Sequence, residues 1–283
     1  MRSDAGNINE PGRDRREKRK QNLQRKRFYY LIKIQYLGFR LHGWQKQPHV
    51  KTVEGLVTKT LRYVLPEEKF KILGTSRTDA MVSAMESAFE LFLDERPLED
   101  LAEFLKLFNL NLPQDIRAVS VNEVDSKFNI IQDPKFKEYT YLFSFGDKNH
   151  PFCAPLMANF QEDLDIEKMK QAAALFRGQH NFRNYCVRVS ENSKFEREML
   201  TSEIVKNTEI TASFFPENTF LFRISGEGFL RHQVRLMMGT LVLVGRGEFN
   251  LEDIRNSLKP DSDMQMDYIA PASGLILNKV DFT

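Results

Sequence analysis

The chain has 283 residues, of which 41% are hydrophobic and 28% charged, with a net charge of +2 at neutral pH; at roughly 100 to 200 residues per domain this allows one large domain or two moderate ones. No apolar run reaches the roughly eighteen residues of a membrane span and no charged-then-apolar leader opens the chain, so the protein is expected to be soluble and cytoplasmic. Two cysteines, Cys153 and Cys186, lie far from CxxC spacing and the five histidines form no HxxxH or HExxH pair, so no metal site is expected.

Charge is concentrated in residues 1–27, where "RDRREKRKQNLQRKR" reads as a disordered basic tail, either simply solvated or drawn to phosphate backbones by counterion release. "FYYLIKIQY" from Phe28 is β-branched and aromatic and predicts a strand. "LGFRLHGWQKQPHV" is a loop rich in hydrogen-bonding side chains, in which Trp44 reads as packing. From Thr52 to Leu65 the apolar spacing predicts a helix with Thr52 as N-cap. "FKILGT" and "SAFELFLD" follow as strands, "LEDLAEFLKLFNLNLP" as a helix stopping before Pro113, and "IRAVSVNEV" as a strand closing a first half. The second half opens with the strand "KEYTYLFSF", then a helix over "DIEKMKQAAALFRGQHNF" ending at Gly178. A strand pair, "TSEIVKNTEITAS" and "NTFLFRISGEGF", precedes an apolar helix from Leu230 to Glu248, a short helix at "LEDIRNSLK" and a final strand "GLILNKVDF". Strands and helices thus recur in similar order twice, which predicts an α+β protein of two related halves.

The stretch "KILGTSRTDAMVSA" holds the most chemistry. An aspartate in such a loop is commonly a turn former or helix cap. Here Arg77 lies two positions from Asp79, where ion pairing would favour the charged carboxylate, and small residues leave room for a ligand. An ionised, positioned carboxylate suits a nucleophile or an electrostatic anchor.

"SRTDAMVSA" resembles the GRTDAGVHA motif of the TruA-type tRNA pseudouridine synthases. Further segments resemble that family in the same order: "GWQKQP" followed by "TVEG", "NLNLPQDI", "FNIIQDPKFKEYTY", "GEGFLRHQVRLMMGTLVLVGRGE" and "APASGLILNKV". The resemblance runs from Phe28 to the C-terminus. It implies two ferredoxin-like α+β halves, 28–132 and 133–283, whose antiparallel sheets join around a central RNA-binding cleft. It also implies an isomerase that detaches uracil at N1 and reattaches it through C5, without a cofactor, in tRNA and most naturally in the anticodon stem-loop. Asp79 takes the catalytic position, and Tyr139, Arg77 and Arg235 take substrate-binding positions; a homodimer is implied as well. His232 reads as a local hydrogen-bonding residue. Ser76, Met81 and Ser83 replace the motif's Gly, Gly and His, Leu37 replaces an aspartate, and Ile131 and Lys137 replace arginines. These departures leave open a different uridine target, or a paralogue that binds RNA as a chaperone without catalysis.

Overall fold

The computed structural model describes residues 26–187 and 194–282. Of the basic run, only Lys26 and Arg27 fall within it; the rest of that segment lies outside the described residues. β1 (Arg27–Tyr36) buries Tyr30, Ile32, Ile34 and Tyr36 on one face, as its alternation requires. It pairs antiparallel with β3 (Ser83–Asp94) on one side and β4 (Ile116–Glu123) on the other. β2 (Lys69–Gly74) lies along the outer half of β3, against Phe89–Asp94.

Two helices cover this part of the sheet. α1 (Val53–Val64) starts where the Thr52 hydroxyl accepts the Gly55 N–H at 3.2 Å, the cap read from the sequence. α2 (Leu101–Asn111) is capped by Asp100, whose carboxylate accepts from Ala102 and Glu103. Val53, Val57 and Leu61 from α1 and Phe104 and Phe108 from α2 pack on Ile32, Ile34, Phe89 and Leu91 in one continuous core.

β5 (Phe136–Phe145), β9 (Thr219–Gly226), β8 (Glu196–Lys206) and the short edge strand β7 (Gly178–Asn181) continue the sheet antiparallel, while β6 (Ala158–Phe160) adds a parallel pairing to β5. α3 (Ile166–Ala174), α4 (Gln233–Gly245) and α5 (Leu251–Ser257) contribute Met169, Leu236, Leu241 and Ile254 to a second core with Phe143, Phe222 and Ile224. Several boundaries differ from the sequence reading: β3 starts at Ser83 rather than Ser87, β8 spans Glu196–Lys206 rather than starting at Thr201, and two helix ends are shifted. The helix expected to reach Gly178 ends at Ala174, because Phe176 turns into the core and Gly178, at φ +102°, redirects the chain into β7. The helix expected from Leu230 starts at Gln233, because His232 is left-handed at φ 61°. No helix among the described residues is long and apolar enough to cross a membrane.

β10 (Leu275–Asp281) joins the two sets of strands into one ten-stranded sheet. On one side it pairs antiparallel with β5; on the other, Ile276 and Leu277 pair with Ser83 and Ala84 at the start of β3. The sheet is therefore antiparallel in most of its pairings, but the seam itself is parallel. Because β2 lies beside β3 only from Phe89 onward, the edge at Ser83 and Ala84 is free to accept β10. Leu277 faces both Ala84 and Tyr139 across this seam and is fully buried.

Leu277→Ala leaves a cavity at the seam, and a loss of about 2–5 kcal/mol is expected from such a truncation. The check is the urea midpoint of the variant against the parent chain.

Candidate active site

The loop from Thr75 to Val82, between β2 and β3, lies beside the seam and carries Asp79. Its first residue is fixed from three directions: Thr75 N–H donates to Ala88 O at 3.0 Å, its hydroxyl to Ile130 O at 3.2 Å, and its own carbonyl accepts Lys137 Nζ at 2.8 Å. Lys137 thus ties β5 to the loop, and burial pushes its ammonium below the ordinary range. Further along, the Thr78 carbonyl accepts Trp44 N–H at 3.1 Å and its hydroxyl lies 2.9 Å from Tyr36 Oη. The turn closes with Val82 N–H on Asp79 O at 3.2 Å and Met81 N–H on Leu41 O at 3.0 Å.

The "GWQKQP" loop is the back wall of this turn. Trp44 is only 3% exposed, so it packs, as the sequence suggested. Its indole lies so close to Gly74 that a Cβ there would meet Trp44 Cε2 at 2.2 Å, which explains the glycine at the end of β2. Met81 has φ 67°. The motif that the sequence resembles has glycine at this position, and a left-handed turn is the physical reason for it.

Asp79 keeps a quarter of its side chain exposed, and two side chains from the start of α4 reach it. His232 Nε2 is 3.3 Å from Oδ1, and Arg235 Nη1 is 3.8 Å from Oδ2. Arg235 is itself held, its Nε donating to Ala270 O at 2.8 Å while Ala270 N–H donates to Arg235 O at 3.1 Å. Tyr139 stands on β5 opposite Leu277, with its ring edge-on to Phe229 at 5.0 Å between centroids. Burial raises the Tyr139 phenol well above the ordinary value, and the Tyr36 phenol and Asp79 carboxylate push the same way.

Of the residues singled out from the sequence, Asp79 and Arg235 come together and Tyr139 lies beside them. Arg77 does not join them: it is exposed and forms no ion pair with Asp79 among the described residues. The pinning of Thr75 and Thr78 to the protein on either side of Arg77 leaves its side chain on the outer face of the loop. The second partner is His232, read from the sequence only as a local hydrogen-bonding residue and found here beside a carboxylate from another part of the chain. Its signal was the cluster of Arg231, His232 and Arg235 at the start of the apolar helix.

A quarter-exposed carboxylate with a fixed guanidinium and an aromatic ring beside it, at the seam where the two sets of strands meet, has the geometry of an enzyme's reacting group. A family model described as tRNA pseudouridine synthase matches residues 172–283. A tRNA pseudouridine synthase A of Dictyoglomus thermophilum is 32% identical over 253 residues, covering 89% of this chain and 98% of that protein. A tRNA pseudouridine synthase A 2 of Bacillus cereus is 32% identical over 89% of this chain and 99% of its own length, and a tRNA pseudouridine synthase A of Staphylococcus carnosus is 32% identical over 88% and 89%. Among solved structures, a chain of a Cbf5-Nop10-Gar1 complex aligns at 16% identity with a TM-score of 0.35, over 75% of this chain and 44% of that one, too distant to bear on function. The enzyme is thus an isomerase that converts uridine to pseudouridine in RNA. The chain belongs to the tRNA pseudouridine synthase A family.

Two measurements test the site's construction. Met81→Gly relieves a left-handed side chain and is expected to stabilise the fold by up to about 1 kcal/mol after the added chain entropy, seen as a higher melting temperature. The phenols of Tyr36, Tyr139, Tyr141 and Tyr185 are all raised, chiefly by burial, Tyr36 from 10.0 to about 12. Below pH 10 they contribute no pH dependence; above it the unfolded chain loses these protons first, so stability falls as pH rises toward the folded values. Denaturant midpoints should therefore decline above pH 10, while phenolate absorbance lags behind that of the unfolded chain.

Proposed function

We propose that this protein makes pseudouridine in tRNA, in the anticodon stem-loop, with Asp79 as the reacting carboxylate. The supporting observation is that Asp79 sits on a loop pinned at Thr75 and Thr78 and is approached on its two oxygens by His232 and Arg235. In the reaction the N1–C1′ bond of uridine breaks, the base turns, a C5–C1′ bond forms, and the C5 proton is lost while N1 gains one. Asp79 attacks either the sugar C1′ or the base, and in both routes it acts as a charged, positioned nucleophile. A base stacked in a stem or loop must leave the stack to reach a carboxylate that is only a quarter exposed. Tyr139 is the platform for it. Its phenol, held neutral at physiological pH, favours stacking and hydrogen-bond donation over accepting a proton.

Arg235 faces the carboxylate and the reacting nucleotide, whereas Arg77, exposed on the rim, contacts phosphate. In this reading the halves 28–132 and 133–283 are the two structural units flanking the cleft, the enzyme works in the cytoplasm, and two copies of the chain form a homodimer that a tRNA spans.

The test is conversion of uridine in an unmodified tRNA pool, read position by position. The wild type is expected to modify anticodon-arm uridines, and Asp79→Ala to lose roughly 10⁴-fold or more of the rate while retaining tRNA binding. Binding by both proteins with conversion by neither would make this an RNA-binding paralogue. Conversion at uridines outside the anticodon arm would move the target and keep the chemistry.

A further inference from the structure

We infer that His232 is a positioning residue for the reaction: a neutral imidazole that donates Nε2–H to Asp79 Oδ1, leaving Oδ2 to Arg235 and fixing the plane in which the carboxylate meets its substrate. This rests on the reading of Asp79 as the reacting group.

Three observations carry it. Nε2 lies 3.3 Å from Oδ1. His232 has φ 61°, a left-handed conformation that costs a non-glycine residue energy and shortens α4 at its start; backbone strain of this kind persists where the surroundings require it. Its other nitrogen, Nδ1, is buried with no hydrogen-bond partner among the described residues. The nitrogen facing a carboxylate carries the proton, so the resting tautomer is Nε2–H. A second proton would sit on Nδ1, where no acceptor awaits it, and a buried unsatisfied donor is costly.

The charged groups acting on the ring are Asp79, across from the β2–β3 loop, and Arg235 and Arg231 from its own segment. Burial pushes the imidazole below its ordinary value of 6.5 and the two arginines add to this, while Asp79 pulls the other way. Burial, the two arginines and the absence of a partner for Nδ1 among the described residues all favour a neutral ring in the 3.3 Å contact. The distinction matters chemically: an imidazolium would neutralise the nucleophile, whereas a neutral donor orients it and leaves its charge available. Because the folded value is lowered, the neutral ring and its contribution to stability are present above pH 6.5 and are lost as pH falls through the folded value.

The experiment compares wild type, His232→Ala and His232→Gln in single-turnover conversion of tRNA uridine between about pH 5 and 8, the range across which histidine titrates. His232→Ala is expected to lower kcat by roughly tenfold to hundredfold with KM for tRNA unchanged, as for a misplaced reacting group. His232→Gln, whose amide donor reaches the place of Nε2 and does not titrate, should recover most of the rate and flatten the acidic limb of the pH profile. A kcat for His232→Ala within about twofold of wild type, an acidic limb unchanged in His232→Gln, or a loss confined to melting temperature overturns the inference. Nitrogen-15 spectra of the histidines in wild type and Asp79→Asn give a readout independent of turnover. The Nε2–H tautomer should persist below pH 6.5, and the imidazole should titrate still lower once the carboxylate charge is gone. If the wild type converts no uridine, the proposed function fails and these spectra alone decide: an Nδ1–H tautomer, or protonation at the ordinary value, overturns the placement of His232.

Discussion

The parallel pairing of Ile276 and Leu277 with Ser83 and Ala84 holds together the two sets of strands, and the loop carrying Asp79 depends on it. β2 and β10 share one edge of β3, β2 along the far part and β10 at the near end, so the chain between β2 and β3 must leave the sheet where the two sets of strands meet. That excursion is the loop carrying Asp79. The same register sets Leu277 between Ala84 and Tyr139, which brings a ring from the second half to the edge of a loop from the first. Arg235 reaches across the same gap from α4, and its own orientation depends on Ala270, just upstream of β10. A pairing only two residues long thus determines the relative placement of residues from β5, α4 and the β2–β3 loop.

Around Asp79 the protein combines rigid backing with local strain. Thr75, Thr78 and Trp44 hold the loop through hydrogen bonds to the backbone and a buried indole. Four non-glycine residues among those described have positive φ, and two of them, Met81 and His232, lie close to the Asp79 carboxylate. Strain concentrated in this way is characteristic of sites where the surrounding structure imposes a geometry that the local sequence would not choose. It accounts for a helix that starts later than its apolar pattern suggests, and for a methionine occupying a turn that glycine would fit without cost.

Much of this was legible in the residues themselves. The alternation of Tyr30, Ile32 and Ile34, the Thr52 cap and the stop at Pro113 each specify local structure through interactions a few residues long. The end of α3 was not legible, because the burial of Phe176, a tertiary event, overrides a helical pattern that runs on through Ala174. In the site, the motif around Asp79 was readable, but proximity in sequence misled as to its partner. Arg77, two residues away, points outward, while His232 and Arg235, some 150 positions later, reach the carboxylate. Which cation meets a carboxylate is decided by how loops are pinned, and that information resides in Tyr36, Trp44 and Lys137, none of which is near Asp79 in the sequence.

The seam also has a consequence for biosynthesis. Its partners lie about 190 positions apart, so their pairing closes one of the largest loops in the described chain and forms late, after more local contacts have stabilised each half. On the ribosome, β3 is made early and its near edge waits uncovered until β10 has emerged, an exposed strand edge that invites mispairing in the interval. Until then Asp79 lacks the neighbours that hold Arg235 and Tyr139 beside it. Assembly of the Asp79 site is coupled to translation of the C-terminal strand, and a nascent chain halted before β10 carries the carboxylate without the neighbours that the seam brings to it.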